Sequence, residues 1–466
     1  MTDRPTDKNA GVTSHFCRQQ WVMGCLVFML SLASFLQAAS SRGVLHAPPV
    51  NGGDEDCYER LGFNIAAGLG FGYCPADMPV VMGMSEPPPT AACTAGCTPA
   101  EFSQTADRSP GFPLIVAAVY RVSPLNYFAV RVINCVFCAL AVALAAAYFC
   151  REFSLATGLI AGGFCCLDPR FREFAGTFLT ENPATLLLTL FAISFSRMLT
   201  TGPVATVANP RSGARSYTLL NAGLCGLSFS ALVCVRSFFV AWYPVLWIVV
   251  AVSLYRQCRR LQIPLVAALK PLRVFCFASL VLTGPWWIRN CVALDALMPT
   301  GTQGSIVIAE GFSDSAYANF GSWTPRMSEA IAAEMRQDPA LQKVTRIEFE
   351  REQAIRSVAR ASAWIREHPQ LMPQLALWKL SRLWEFGSVR HAVLFASLFA
   401  GMFATRAHPA SRVLLLLLVL NSITVMATHH TYERFMTPFR PMIHGMVACG
   451  LIWIVTCVRR WRLMPR

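Results

Sequence analysis

Long apolar runs recur along this 466-residue chain, and they constrain its fold more than any other feature. Most of them approach the roughly 20 residues that a helix needs to cross a bilayer. Only 14% of the residues are charged, whereas soluble domains carry about 25%. The pattern predicts an all-α polytopic membrane protein with about ten spans. We predict spans at residues 21–39, 126–149, 154–168, 183–199, 218–235, 237–254, 273–288, 391–405, 412–428 and 441–458.

Clusters of arginine and lysine set the expected orientation. The net charge of +14 is spread over short clusters between the apolar runs, so it indicates membrane topology and not nucleic-acid binding. The positive-inside rule places the N-terminal tail (1–20) and the C-terminus in the cytoplasm, which requires an even number of spans. The first run is interpreted as an anchor and not as a cleaved signal peptide. The run at 154–168 is short, which leaves a re-entrant segment open.

Two long connections fall on the opposite, extracytoplasmic side, at 40–125 and 289–390. The first connection lies within an N-terminal transmembrane module, 21–288. The second separates that module from the C-terminal helices and basic tail at 391–466. No internal repeat typical of inverted-repeat transporters is apparent.

The second connection contains an amphipathic pattern that ends before His368-Pro369. Apolar residues recur at helical spacing and predict one face of a helix packed on the site or on lipid. A solvated helix is the alternative. The following stretch, 375–386, is typical of a membrane interface because aromatic and basic residues alternate in it. The apolar face consists of Val344, Ile347, Ile355, Val358, Ala361 and Ile365.

An acidic stretch stands in the first connection, soon after the first span. Asp54, Glu55 and Asp56 lie together in a chain that is otherwise short of acids. Asp54, Tyr58 and Leu61 fall at i, i+4 and i+7, so a helix would place them on one face. We predict an amphipathic helix on the membrane surface, extended by Ile65 and Leu69, with its acidic start at a site. The alternative is a capping cluster on a solvated loop.

Four cysteines, Cys57, Cys74, Cys93 and Cys97, belong to the first connection. On an oxidising side of the membrane they predict one or two disulfides, with three connectivities open if all four pair. A zinc site is disfavoured, because their spacing is irregular and no histidine lies among them.

Ionisable residues from separated parts of the chain reach the same predicted face as Asp54. Asp168 and Glu181 stand at the outer ends of the third and fourth spans, and Arg236 and Arg289 end the fifth and seventh. Each has a simpler explanation, since arginines at span ends extend to lipid headgroups and Asp168 precedes a proline turn. Buried ionisable residues are nevertheless costly and tend to be functional. His429 and His430 are a weak metal signal.

Several short motifs, taken in order, resemble the GT-C glycosyltransferases. More narrowly, they resemble family 39-like bacterial relatives of protein O-mannosyltransferases and of lipid A aminoarabinose transferases. The resemblance covers about 50–440 and rests on the common order, since no single motif is specific. The motifs are Asp54-Glu55-x-x-Tyr58, Arg108-x-Pro110-Gly111-Phe112-Pro113, Leu179-Thr180-Glu181, Arg236, Gly284-Pro285-Trp286-x-Ile288-Arg289-Asn290, His368-Pro369 and Tyr432-Glu433-Arg434-Phe435.

The resemblance implies a GT-C type bundle in a bacterial inner membrane, with its site facing the periplasm. It implies transfer of a sugar from a polyprenyl-phosphate donor to a hydroxyl of a lipid, glycan or protein acceptor. Asp54 holds the position of the family's catalytic acid. Glu55, Asp168 and Glu181 are further acidic candidates, and a divalent cation is left open. The candidates for substrate binding are Tyr58, Arg108, Arg236, Arg289, Tyr432 and Arg434.

A transporter or flippase of a lipid-linked or anionic substrate is the alternative function. Transporters usually carry charges and broken helices at the membrane midplane. Here most charges lie near the ends of predicted spans, which favours the enzyme.

Overall fold

A computed structural model describes residues 8–50, 53–74, 102–201, 214–385, 389–429 and 433–463. Helices dominate these residues. The α-helices are α1 (Lys8–Ser41), α2 (Asp54–Ala66), α3 (Gly111–Val122), α4 (Tyr127–Glu152), α5 (Leu155–Leu167), α6 (Pro169–Phe174), α7 (Glu181–Thr201), α8 (Ala214–Val235), α9 (Tyr243–Arg260), α10 (Val266–Leu280), α11 (Thr283–Leu294), α12 (Gln303–Gly311), α13 (Asp314–Ala318), α14 (Arg326–Gln337), α15 (Arg346–Glu367), α16 (Met372–Leu383), α17 (Val389–Ala404), α18 (Pro409–Thr428) and α19 (Arg440–Arg462).

Short 3-10 helices and one small sheet complete the secondary structure. The 3-10 helices are Ser237–Trp242, Pro339–Leu341, Pro369–Leu371 and Glu433–Phe439. Strands β1 (Gly72–Tyr73) and β2 (Ser103–Gln104) pair antiparallel.

The described residues contain seven helices long and apolar enough to cross a membrane, or eight if one bent pair counts as a span. This confirms an all-α polytopic membrane protein. Two further predicted spans, 154–168 and 391–405, correspond to the shorter apolar helices Leu155–Leu167 and His391–Ala404. The first predicted connection is not wholly a loop, because Gly111–Val122 forms a third short apolar helix within it.

The predicted span at 273–288 is wrong as a single helix. Helices α10 and α11 meet at a bend of 46°. Pro285, near the start of α11, carries no backbone N–H, and its ring clashes with the carbonyl four residues before it. The Ser230 hydroxyl accepts hydrogen bonds from the freed N–H groups of Leu282 and Thr283, at 3.1 and 3.2 Å. Contacts with α8 therefore stabilise the bend.

Side chains of α7, α8, α9, α18 and α19 form the largest apolar core. Trp242 lies at its centre, fully buried, and its indole N–H donates to the Thr424 hydroxyl at 3.1 Å. Helices α17 and α19 pack at close range because Gly401 and Gly450 face each other, where any Cβ would meet the opposite backbone. Small residues permit such contacts between membrane helices.

Helix α2 differs from the predicted surface helix. It begins at Asp54 as expected, but it ends at Ala66, so Leu69 lies outside it. Nine of its thirteen residues are buried, including Glu55, Asp56 and Glu59, because the helix packs against α3 inside the protein. A capping cluster on a solvated loop is therefore excluded.

Helices α12 to α16 form most of the second long connection, which the sequence predicts to be extracytoplasmic. The predicted helix before His368 exists, as α15, and the face through which it packs overlaps the predicted one only in part: Ala361 is buried and Ile365 packs beside it. Its buried positions are Glu350, Ala354, Ser357, Ala361 and Trp364, whereas Ile355 and Val358 are exposed. The apolar pattern missed the rest of this face because the carboxylate of Glu350 and the hydroxyl of Ser357 are buried there, and polar residues are not counted in such a pattern.

Glu350 attaches this second connection to the first. Its carboxylate accepts hydrogen bonds from the Thr105 hydroxyl at 2.6 Å and the Ala106 backbone N–H at 2.9 Å. Arg346 balances its charge at 2.6 Å. The segment just before Arg108 is therefore held by α15.

The cysteines of the first connection differ in their bonding. Cys74 is disulfide-bonded, and its partner lies outside the described residues. Cys57 is a free, buried thiol. Cys93 and Cys97 lie outside the described residues, so their pairing stays a prediction.

The two ends of the bundle carry different polar contacts. At the end assigned to the cytoplasm, Glu152 and His408 meet at 3.3 Å, and Gln257 donates to the Leu199 carbonyl at 2.8 Å. The acidic start of α2 lies at the other end, against Arg434.

We expect reporter fusions after Arg260 and Arg406 to report the cytoplasm and a fusion after Gly321 to report the opposite side. The positive-inside rule is the physical reason. Alkaline phosphatase and green fluorescent protein, fused at each point, measure the two sides independently. A cytoplasmic Gly321 would contradict the assignment of both long connections.

Lys379 on α16 was expected at the membrane interface, but it is fully buried. Its ammonium lies 3.7 Å from the centre of the Phe312 ring, and Gly321 packs on its aliphatic stem. Burial lowers the pKa of Lys379 to about 7 from an ordinary 10.5. Below about pH 7, Lys379 is charged in the folded protein although it is buried. Between that pH and 10.5, Lys379 is neutral in the folded protein and takes up a proton when the protein unfolds.

We expect Lys379→Met to raise the melting temperature most near pH 6, where wild type carries the buried charge. The gain should shrink as pH rises from about 7 towards 10.5, because the proton that Lys379 must give up on folding is then held less and less strongly by the unfolded chain. Thermal unfolding of both proteins in detergent across this range measures it. A gain that is constant with pH would contradict the assignment of a buried, titrating lysine.

Candidate active site

The four acids of α2 have separate partners, and Asp54 is the one that lines a cavity. Glu55 accepts hydrogen bonds from the backbone N–H groups of Phe178 at 2.9 Å and Val50 at 3.0 Å. Asp56 pairs with Arg60 one turn later, at 3.1 Å. Glu59 accepts from the Tyr120 hydroxyl at 3.2 Å. Glu55, a predicted catalytic candidate, thus fastens the start of α2 to its neighbours.

Two arginines bind the Asp54 carboxylate, one on each oxygen. Arg434 Nη1 lies 2.8 Å from Oδ2, and Arg108 Nη2 lies 3.2 Å from Oδ1. Burial opposes the charge of Asp54, but the guanidinium groups of Arg434 and Arg108 outweigh it and hold the pKa of this carboxyl well below its usual range. Asp54 is therefore charged at neutral pH, and its basicity is suppressed while both arginines remain on it.

A second carboxylate lies beside this cluster. Glu181, the first residue of α7, pairs with Arg236 at 2.7 Å, and Arg434 Nε lies 3.5 Å from the same oxygen. The Glu181 and Arg236 side chains are 1% and 8% exposed, whereas those of Asp54 and Arg434 are 23% and 25% exposed. The first pair is thus a buried support, and the second can reach a ligand.

Neighbouring aromatic rings and backbone groups fix the positions of Arg108 and Arg236. The Arg108 guanidinium lies 5.9 Å from the centre of the Tyr58 ring, and Arg236 lies 5.3 Å from that of Phe435. The Ser109 hydroxyl accepts from the Ser237 backbone N–H at 3.1 Å, joining the first connection to the residue after Arg236. Tyr58, a predicted substrate-binding residue, is buried against Phe112 and supports Arg108.

An apolar cavity of about 710 Å³ opens on one side of the cluster. Some of its lining residues are close in sequence to the charged ones. Pro110 lies two residues after Arg108, Pro183 lies two residues after Glu181, and Val235 directly precedes Arg236. Trp286 and Leu282, at the bend between α10 and α11, complete the wall. The bend thus shapes an apolar space beside the arginines.

A polar cavity, also of about 710 Å³, is lined by the cluster itself. Asp54, Arg108 and Arg434 contribute to its lining, as do residues of α12, α14 and α15 and the side chain of Trp323. The Asp54 carboxylate therefore faces a polar space, and near sequence neighbours of Arg108, Glu181 and Arg236 line the apolar one.

Two predicted site residues lie in other clusters. Asp168 accepts from Arg440 at 2.6 Å and His444 at 2.8 Å, and it caps α6 through the Phe171 N–H at 3.1 Å. Its role there is to join α5 and α6 to α19. Arg289 donates to the Thr105 carbonyl at 2.6 Å, so it holds the loop before Arg108 rather than the cluster itself. Tyr432 lies outside the described residues.

Sequence reasoning missed Glu310 and Arg131. Glu310 lines the polar cavity but follows a plain apolar run in α12, so no local signal marks it. Arg131 lies inside the apolar helix α4, which is a usable signal, since buried charges in spans need partners. It donates to the Pro48 and Gly176 carbonyls, at 3.0 and 2.9 Å, and lies 3.7 Å from Glu55.

The cluster does not fit a divalent cation. Within the part of the chain that the structure describes, no group of three or more His, Cys, Asp or Glu side chains is placed to hold a metal. Asp54 and Glu181 both contact Arg434, whose positive charge takes the place that a metal would need.

No protein-family model and no curated protein matches the sequence. The chain resembles the crystal structure of ArnT from Cupriavidus metallidurans bound to undecaprenyl phosphate. The TM-score is 0.40 and the identity 12%, over 94% of this chain and 78% of that chain.

We expect Glu181→Gln to destabilise the protein strongly, because it leaves Arg236 buried without its counter-charge. Breaking a buried ion pair costs about 3–5 kcal/mol, whereas an exposed pair contributes about 0–1 kcal/mol. Thermal unfolding in detergent measures the change. Glu334→Gln is the matched control, since Glu334 pairs with Arg360 while half exposed. Equal losses in the two variants would contradict a structural role for Glu181.

Proposed function

We propose that this protein is a membrane glycosyltransferase of the GT-C type, which transfers a sugar from a polyprenyl-phosphate donor to an acceptor hydroxyl. One observation carries the proposal: Asp54, Arg108 and Arg434 line a polar cavity, and near sequence neighbours of Arg108, Glu181 and Arg236 line an apolar one. A lipid-linked sugar needs an apolar path for its chain, cations for its phosphate and a carboxylate near the acceptor.

The charge of the cluster suits the phosphate of such a donor. Arg108, Arg236 and Arg434 face two carboxylates, Asp54 and Glu181, which leaves one positive charge. A phosphodiester between the lipid and the sugar carries one negative charge. Arginine is well suited to this contact because its planar fork can bind phosphate through two hydrogen bonds.

The reaction follows from this arrangement. Asp54 accepts the proton of the acceptor hydroxyl as the oxygen forms a bond with the anomeric carbon of the sugar. The bond from that carbon to the phosphate oxygen breaks, and the electron pair leaves with the polyprenyl phosphate. Arg108 and Arg434 stabilise the second negative charge that develops there.

The apolar cavity supports the lipid side of the proposal. Its lining includes Leu114, Phe137 and Leu187 from three separate helices. Burying apolar surface contributes about 25 cal/mol per Å², so such walls favour an isoprenoid chain. The basic clusters support an orientation in which this site faces away from the cytoplasm, which is the periplasm if the membrane is a bacterial inner membrane.

We expect Asp54→Asn to lower the turnover about 10²–10⁴-fold, the usual effect of losing a general base. Its affinity for polyprenyl phosphate should be kept or increased, because the carboxylate no longer competes for Arg434 and Arg108. Arg434→Ala should weaken that affinity about 10–100-fold, since charged hydrogen bonds contribute about 1.5–3 kcal/mol. Native mass spectrometry measures lipid binding, and transfer from a radiolabelled polyprenyl-phosphate sugar measures turnover.

Matched controls are Asp295→Asn and Arg382→Ala, exposed residues of the second connection outside both cavities. Both should behave as wild type. Unchanged turnover in Asp54→Asn would contradict the assignment of the base. If the wild-type protein moved the lipid across vesicle membranes without transferring the sugar, the transporter or flippase would be favoured instead.

A further inference from the structure

We propose that the polar cavity binds an uncharged sugar ring of a glycan or glycolipid acceptor, with Trp323 as its platform. The inference rests on the proposed function and specifies its acceptor. Trp323 lines the polar cavity together with Asp54. The acceptor ring would lie on the indole, with one hydroxyl directed to Asp54.

Glu310 and the elements around it fix the position of this indole. Glu310 Oε2 accepts from the Trp323 indole N–H at 3.0 Å, and Oε1 accepts from the Ser328 hydroxyl at 2.6 Å. Glu310 itself is 7% exposed, so the anchor is buried, while Trp323 is 48% exposed. A rigid aromatic side chain at a polar cavity offers a large contact area at low entropic cost.

Polar groups complete the cavity in the way that a hydroxyl-rich ligand requires. Gln303 of α12 and Gln353 of α15 supply amide donors and acceptors. Ile306 and Phe349 supply apolar contacts beside them. A sugar ring presents C–H groups on its faces and hydroxyls at its edge, which matches an indole platform with amides around it.

The charge of the lining disfavours a phosphorylated acceptor. Apart from Asp54, Arg108 and Arg434, the cavity presents four carboxylates and two guanidinium groups. Arg346 is already paired with Glu350 and Asp107, at 2.6 and 3.7 Å. A second phosphate would therefore meet net negative charge, whereas a neutral sugar would not. The six charged residues are Asp107, Glu310, Glu329, Glu350, Arg336 and Arg346.

The test uses the full chain in lipid nanodiscs, incubated with an array of neutral, phosphorylated and amino glycans. We expect binding to neutral glycans in wild type and a loss of at least about tenfold in Trp323→Ala, as for a central aromatic contact. Glu310→Ala should weaken binding, because the indole loses its anchor. Glu310→Gln should restore it, since the amide oxygen still accepts from the indole N–H.

Phe320→Ala is the matched control, because Phe320 is similarly exposed (51%) but lies outside the cavity lining and packs on Trp378. It should bind glycans as wild type does. Polyprenyl phosphate binding, measured in each variant, reports folding and tests the proposed function separately. Array binding confined to phosphorylated or amino glycans, no array binding, or full binding by Trp323→Ala would overturn the inference. If lipid binding persists in those cases, the proposed function stands.

Discussion

The candidate site depends on one electrostatic constraint: two carboxylates lie at one end of an apolar bundle, and each must be neutralised there. Removing an ion from water costs several kcal/mol unless a partner contacts it. Arg434 contacts both Asp54 and Glu181, while Arg108 and Arg236 bind one each. These arginines come from the first connection, the end of α8 and the segment before α19. Ion pairing therefore assembles distant parts of the chain into one cluster.

The second long connection stabilises that cluster without entering it. Glu350 and Arg289 both bind the segment at Thr105 and Ala106, just before Arg108. The same helix, α15, forms part of the polar cavity. Moving α15 would therefore alter the cavity and the position of Arg108 together. This explains why a long connection between spans folds as packed helices and not as a loose loop.

The sequence predicted the elements better than their contacts. Apolar runs gave the membrane fold and most spans, because the bilayer fixes both length and composition. The pattern could not show the 46° bend at 281–282, which depends on Ser230 of another helix. The pattern also could not distinguish the role of Asp54 from that of Asp168, because both are acids near span ends. Their roles are set by Arg434 and Arg440, whose positions only the tertiary fold decides.

The pairing of Asp54 also implies an order of events in the proposed reaction. An arginine contacts each carboxylate oxygen, so an acceptor hydroxyl that reaches Asp54 meets a carboxylate of suppressed basicity. A donor phosphate competes for the same guanidinium groups, and each one it takes frees an oxygen and restores basicity. Arg434 can move in this way because Glu181 keeps Arg236 as a partner. The donor should therefore be bound before the acceptor reacts: an acceptor ring can lie on Trp323 without it, but the hydroxyl meets a competent base only once the donor phosphate has drawn an arginine away.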